Sequence, residues 1–361
     1  MKNSKKTRIF IGLNDIANIP MMYKKAFGEN GLNCDYYSWS DEEEPAFGYR
    51  RDKIFFRFKH PPPFRILGKN PFWFISKILE VIYLFYSILK YDLFLFVSPN
   101  TFLKNNRDLK IINLFRKKII MIFTGCAERD LNFAEADEDY ICKRCKDTSL
   151  QKWVSCIDLI KKKARVNRLE HYSYKIIGQD DITSYVNDKS KLVWHYVIAD
   201  YPNIGINLKE KYNQKVIRIV HFPSNPLVKQ SHLIIPVLNK FSGRQDVNII
   251  VDKINSRERM EEELSKAHIL VNVLGTGYGV LPAEAMSYGC VVFNSNPLWF
   301  SRHIPDAPVI PIMADTLEKT LEHFINDRSE LINYAEKSVE HYYKYHSPKA
   351  AGNYLKTALG L

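Results

Sequence analysis

The chain has 361 residues, 46% apolar and 25% charged, the balance of a folded protein and not of a disordered one. With only 15 Gly and 17 Pro, collagen-like and low-complexity architectures are excluded as well. The formal net charge of +12 is unevenly placed: residues 1–120 carry 21 Lys and Arg against 11 Asp and Glu, residues 121–205 carry 13 of each, and residues 206–361 carry 18 against 16. An anionic partner is therefore expected to meet the first third, be it nucleic acid, a lipid surface or a phosphorylated substrate.

At roughly 100–200 residues per domain the length suggests two domains. Arg8–Leu13 is a short apolar run, followed by the loop Asn14–Pro20, a helix-like stretch Met21–Phe27, and a strand candidate Cys34–Trp39. This β-loop-α-β opening is the start of a doubly wound α/β domain. Further strands are expected at Leu93–Val97, Lys118–Phe123 and Lys175–Ile177, with helices between them and an exit through Trp194–Asn203. A second series of strands follows at Val216–His221, Val247–Val251, His268–Val273, Cys290–Asn294 and Val309–Ile312. Helical patterns at Arg257–Lys266 and Pro282–Tyr288 separate them, and the amphipathic runs Leu317–Ile325, Glu330–Tyr345 and Pro348–Leu359 close the sequence. Two Rossmann-like domains facing one another are expected: residues 1–205, residues 206–340, and a helix in 341–361 that packs back toward the first.

The basic start Met1–Lys6 is followed by an apolar run, Ile9–Leu13, too short for a signal-peptide core, so a cytoplasmic protein is expected. Its six cysteines are then reduced thiols or metal ligands. Cys142 and Cys145 have the two-residue spacing that lets two thiolates share a tetrahedral zinc, and Cys126 and Cys156 would complete a structural site stapling the polar segment 126–156. Four unrelated thiols are the alternative; Cys34 and Cys290 lie in strand-like runs and read as core. The greasiest stretch, Pro71–Phe96, is interrupted by Lys77, Glu80, Lys90 and Asp92, so no uncharged run reaches the roughly 18–20 residues of a spanning helix. Cations of Arg50–Lys90 beside Phe72, Trp73 and Phe74 suit an anionic bilayer interface. A solvated face of an ordinary core is the alternative, and nucleic acid the less favoured one.

The most informative stretch is Ile269–Asn294. A buried-type strand runs into Gly275, Gly277 and Gly279, then Pro282 near a helix start, Glu284 in its first turn and Gly289 just past its end. Glycines let a backbone approach a ligand closely, and a helix N-terminus offers unpaired N–H groups to a phosphate. Thr276-Gly277-Tyr278-Gly279, four residues, then Glu284-Ala285-Met286-Ser287-Tyr288-Gly289-Cys290-Val291-Val292 resembles the nucleotide-sugar site of GT-B glycosyltransferases, family 4 of the retaining enzymes. Two departures stand out: Val291 replaces a proline, and Thr276 replaces the first of the family's paired glutamates, the one that faces the donor sugar.

The resemblance implies a GT-B architecture, a nucleotide-diphosphate sugar as donor substrate, no catalytic metal, and retention of anomeric configuration. Glu284 is then the ribose-binding glutamate, while Gly279 and Val280 match the backbone that approaches the diphosphate. Ile217–Lys229 resembles the first strand and loop of the family's donor domain, with Lys229 at the diphosphate and Ser224 and Asn225 where an arginine is common. In the first domain, Asn14, Asp15 and Asn18 lie where such enzymes meet the acceptor. Thr124–Arg129 resembles a loop facing the cleft; Glu128 is its candidate acid or base and Arg129 an acceptor-side cation. The implied function is transfer of a sugar to a saccharide or lipid-linked acceptor in cell-surface polysaccharide or glycolipid synthesis, at the inner face of the membrane. The alternatives are a degenerate donor-binding partner of another transferase and a nucleotide-sugar epimerase of the same fold.

Overall fold

The computed structural model of the protein describes residues 7–40, 52–58, 71–125, 128, 159–178, 186–194, 197–200, 206–274, 278–295 and 306–361. They group into two compact units, the first within Met1–Arg129, Ser155–His195 and Ala351–Leu361, the second within Tyr196–Ala350.

Runs of apolar residues without alternation make strands buried on both faces, and such strands form parallel sheets covered by helices. In the first unit these are β1 (Arg8–Leu13), β2 (Asn33–Trp39), β3 (Lys53–Phe55), β4 (Leu93–Val97), β5 (Lys118–Ile122), β6 (Lys175–Gly178) and β7 (Leu192–Trp194). They pair in parallel in the order β3-β2-β1-β4-β5-β6-β7. The sheet carries α1 (Ile19–Glu29), α2 (Pro71–Lys90), α3 (Asp108–Leu114) and α4 (Leu159–Tyr172). Its core is aromatic: Phe10 on β1 stacks on Tyr37 with centroids 5.3 Å apart and packs against Phe94, Phe96 and Phe102 at 5.2–5.9 Å.

Two short edge strands depart from the sequence reading. β3 falls inside the basic aromatic segment, where Phe55 enters the core against Tyr83 at 4.3 Å, and β7 ends at Trp194, the first residue of the expected exit segment. The second departure is α2. Phe72–Lys90 is long and apolar enough to cross a membrane by length and composition alone, and Lys77 and Glu80 inside it pair with each other. Lys77 Nζ donates to Glu80 Oε1 at 2.7 Å, and the Glu80 side chain is buried.

The second unit contains β8 (Ile217–His221), β9 (Val247–Val251), β10 (Ile269–Val273), β11 (Val291–Asn294) and β12 (Val309–Pro311), parallel in the order β12-β11-β10-β8-β9. Its helices are α5 (Leu208–Tyr212), α6 (Ser231–Asn239), α7 (Arg257–Lys266), α8 (Val280–Ser287), α9 (Leu317–Asn326) and α10 (Arg328–His341), the last continuing as a π-helical turn through His346. α11 (Pro348–Ala358) follows and from Ala351 onward belongs to the first unit, where Gly352 lies directly against α1. Both sheets reverse winding direction once, between β1 and β4 in the first unit and between β8 and β10 in the second. Ligands of open parallel sheets bind beyond the carboxyl ends of the strands at such a reversal.

Candidate nucleotide-sugar site

The reversal in the second sheet collects the residues singled out in the sequence. The loop leaving β8 contains Ser224, Asn225 and Lys229, and the loop leaving β10 leads through Tyr278 and Gly279 into α8. Gly279 caps α8 with φ +75°, a left-handed conformation that a Cβ would oppose, and Val280 opens the helix. Thr276 and Gly277 lie outside the described residues.

Lys229 does not extend into solvent. Its ammonium turns back over the sheet and donates to Asn272 Oδ1 on β10 at 2.8 Å. Burial pushes its pKa down to about 8, so one loosely held positive charge sits at the strand ends. Asn272 in turn donates from Nδ2 to Asn294 Oδ1 on β11 at 2.6 Å and to the Tyr278 carbonyl at 3.2 Å. These links tie the ends of β10 and β11 to the loop that enters α8. Beneath Lys229, His221 donates from Nδ1 to the Val271 carbonyl at 2.8 Å, so its Nε2 accepts from Ser231 Oγ. Burial holds that imidazole down at about 4 and neutral, which leaves Lys229 the only cation in this cluster among the described residues.

Glu284 lies on α8 and meets Arg257 Nη1 of α7 at 2.5 Å. Burial raises its pKa in spite of the guanidinium, which pulls the other way; the pair fixes the direction of the carboxylate. Arg257 is held in turn by Glu261 Oε1 at 2.5 Å and by the Asp200 carbonyl.

Other expected residues have different work. Tyr278 offers only its backbone, because its ring is buried, stacks on His346 at 5.4 Å and places its hydroxyl 2.9 Å from Met286 Sδ. The Asn225 carboxamide accepts the N–H groups of Leu227 and Val228 and shapes the loop that delivers Lys229. Ser224 is exposed.

In the first unit, Asn14, Asp15 and Asn18 follow β1 at the sheet's reversal. Asp15 accepts the Asn18 N–H at 2.9 Å and the Tyr36 hydroxyl at 3.3 Å, which sets the entry into α1. Asn18, left-handed at φ 60°, buries both polar atoms of its carboxamide without a hydrogen-bond partner among the described residues. Glu128 is buried: Ser98 Oγ donates to one oxygen at 2.5 Å, and the N–H groups of Gly125 and Thr124 donate to the other at 3.1 and 3.3 Å. Burial raises its pKa against those donors. A carboxylate bonded at both oxygens ties the end of β4 to the loop after β5. Arg129 and the proposed zinc ligands Cys126, Cys142, Cys145 and Cys156 lie outside the described residues.

Asn272, Asn294 and Arg257 went unread in the sequence. A lone Asn inside Ile-Leu-Val-Asn-Val is a polar residue in a buried strand, and that conflict was the available signal. Arg257 had none, since only folding brings α7 beside α8.

No protein-family model matches the chain, and no curated protein matches it in sequence. Solved structures do match along its length. A sucrose-phosphate synthase from Thermosynechococcus elongatus has a TM-score of 0.61 at 11% identity, covering 98% of each chain. Anabaena HepE, solved in complex with UDP-glucose, has a TM-score of 0.57 at 9% identity, covering 98% of this chain and all of its own. A putative UDP-N-acetylglucosamine 2-epimerase from Listeria monocytogenes has a TM-score of 0.52 at 8% identity, covering 98% and 96%. At such identities the likeness is one of fold: the chain has the GT-B architecture of two Rossmann-like domains.

Proposed function

We propose that the protein is a glycosyltransferase, resembling family 4, that moves a sugar from a nucleoside diphosphate sugar to a saccharide or lipid-linked saccharide with retention of configuration. The observation that carries this reading is the cluster at the reversal of the second sheet. One buried-side ammonium, Lys229, a left-handed glycine at a helix N-terminus and an oriented carboxylate, Glu284, converge there. An ammonium and helix N–H groups suit a diphosphate; a fixed carboxylate suits the paired hydroxyls of a ribose. Support comes also from HepE, a structural neighbour solved with UDP-glucose.

In this reading Lys229 and the N-terminus of α8 take up the charge that grows on the leaving diphosphate, and Glu284 accepts from the ribose hydroxyls. Asn272 keeps Lys229 aimed, and Arg257 does the same for Glu284. The first domain takes the acceptor at the loop of Asn14, Asp15 and Asn18, and its positive charge suits a lipid-linked acceptor at an anionic membrane, in surface polysaccharide or glycolipid synthesis.

Calorimetry against UDP, GDP, ADP and inorganic pyrophosphate tests the site. At least one nucleoside diphosphate binds, and Glu284→Gln weakens it about ten- to hundredfold while leaving pyrophosphate unchanged. Absence of binding to every nucleotide sinks the reading. Turnover of the donor without any acceptor moves it to an epimerase.

A further inference from the structure

Helix α2 has two faces of opposite fate. Ser76, Glu80, Leu84, Ser87 and Ile88 are buried against the first sheet, with Tyr83 stacked on Phe55. The other face leaves Phe74, Ile78, Ile82, Phe85 and Leu89 exposed at 41–78%, with Trp73 and Tyr86 exposed toward its two ends. An apolar stripe of this length on a monomer marks an interaction surface. It is not a spanning segment, because the opposite face belongs to the core.

What borders the stripe decides its occupant. Phe115, just past the end of α3, meets Phe85 edge-on at 6.2 Å, and Leu114 beside it is 80% exposed. Arg107, Lys110 and Leu114 recur at helical spacing, and Arg116, Lys117 and Lys118 follow directly. The one acid of this stretch, Asp108, is buried and bonded to Thr101 Oγ1 and the Phe102 N–H. Among the described residues, three of the cations first expected to face lipid are occupied elsewhere. Lys53 pairs with Asp35, Arg57 lies over Trp39, and Lys77 is paired with Glu80.

We infer that the exposed face of α2, with Leu114 and Phe115, is a docking surface for an anionic lipid bilayer. Aliphatic and aromatic side chains enter the headgroup boundary while Arg107, Lys110 and Arg116 meet lipid phosphates. A two-fold contact between copies would lay this cationic border against itself, so charge favours an anionic partner over a second copy. The inference rests on the lipid-linked acceptor reading only for its purpose, and it is tested without nucleotide, so the two fail separately.

The test is co-sedimentation of the full chain with vesicles of pure phosphatidylcholine and of phosphatidylcholine with 30% phosphatidylglycerol (about one lipid in three, ample for polybasic binding). Binding is expected to the anionic vesicles only, and to weaken in high salt. It falls at least tenfold in Ile78→Asp/Ile82→Asp and in Lys110→Glu/Arg116→Glu, each keeping its circular dichroism spectrum and thermal transition. Equal binding of wild type and both variants, or no binding to either vesicle, overturns the inference. So does a dimer in sedimentation velocity that Ile78→Asp/Ile82→Asp converts to monomer, which assigns the face to a second copy. If either variant fails to fold, Leu89→Ser and Lys110→Gln replace them, and retained vesicle binding by both overturns it equally.

Discussion

Lys229 combines a burial that discourages its charge with a position where charge is useful. With its ammonium pushed down to about 8, it is charged below that pH and neutral above it. The dissociation constant for a nucleoside diphosphate, already fully ionised there, should be flat below about pH 8 and rise toward tenfold per pH unit beyond it. Titration calorimetry from pH 6.5 to 9.5 measures this. Lys229→Met should bind weakly at every pH and lose the bend; an unchanged bend would place the titrating group elsewhere. Residues of this kind were half legible in the sequence. Lys229 and Glu284 were singled out by the family resemblance of the segments that carry them. Their orienting partners Asn272 and Arg257 were not, because contacts between neighbouring strands and helices leave no spacing along the chain.

At the scale of elements, the buried parallel strands were readable because unbroken apolar runs of five or six residues have few other uses. The strands missed, β3 and β7, have three residues each and lie at the sheet's edges, where pairing on one side does not demand an apolar run. A helix in 341–361 that packs back toward the first domain was expected from the sequence; that its partner is α1 was not. A Cβ on Gly352 would come within 2.3 Å of the Ala26 carbonyl oxygen and 2.4 Å of Asn30 Nδ2, and backbone cannot step aside as a side chain can. Gly352→Ala should force the two helices apart and cost about 1–3 kcal/mol, the usual penalty of overpacking. Urea unfolding followed by circular dichroism would detect it, with Ala351→Gly as a control that adds no volume; equal stability of Gly352→Ala and wild type would refute the close approach.

For the whole molecule, the two units differ in how they answer mild acid. His221, His268 and His346 are held at about 4 and His341 at about 3, each chiefly by burial, and all four lie in the second unit. Unfolded, they bind protons near 6.5, so the unfolded state is favoured progressively as pH falls from about 6.5 toward 4, by up to about 1.4 kcal/mol per histidine per unit. Glu284, raised by burial, works the other way, while Asp246, Glu262 and Asp327, held low by their hydrogen bonds, act with the histidines at the acid end. In the first unit burial raises Asp108 to about 6, so the folded state takes up that proton first and gains stability from pH 6 to 4. Hydrogen exchange at pH 7 and pH 5, corrected for intrinsic rates, should show protection lost from β8–β12 and kept in β1–β7. Uniform loss would contradict the assignment.

The interrupted path of the chain through its own domains has a temporal side. The first unit takes in residues 351–361, which a ribosome delivers only after every residue of the second unit has been made. Domains emerging from synthesis ordinarily fold in order, N-terminal first. Here the sheet of the first unit can assemble early, but the face of α1 that receives Gly352 and the Lys356 ammonium, bonded to the Asn30 carbonyl, waits until residues 351–361 have been made. A nascent chain therefore passes through a stage in which its second domain is whole and its first is not.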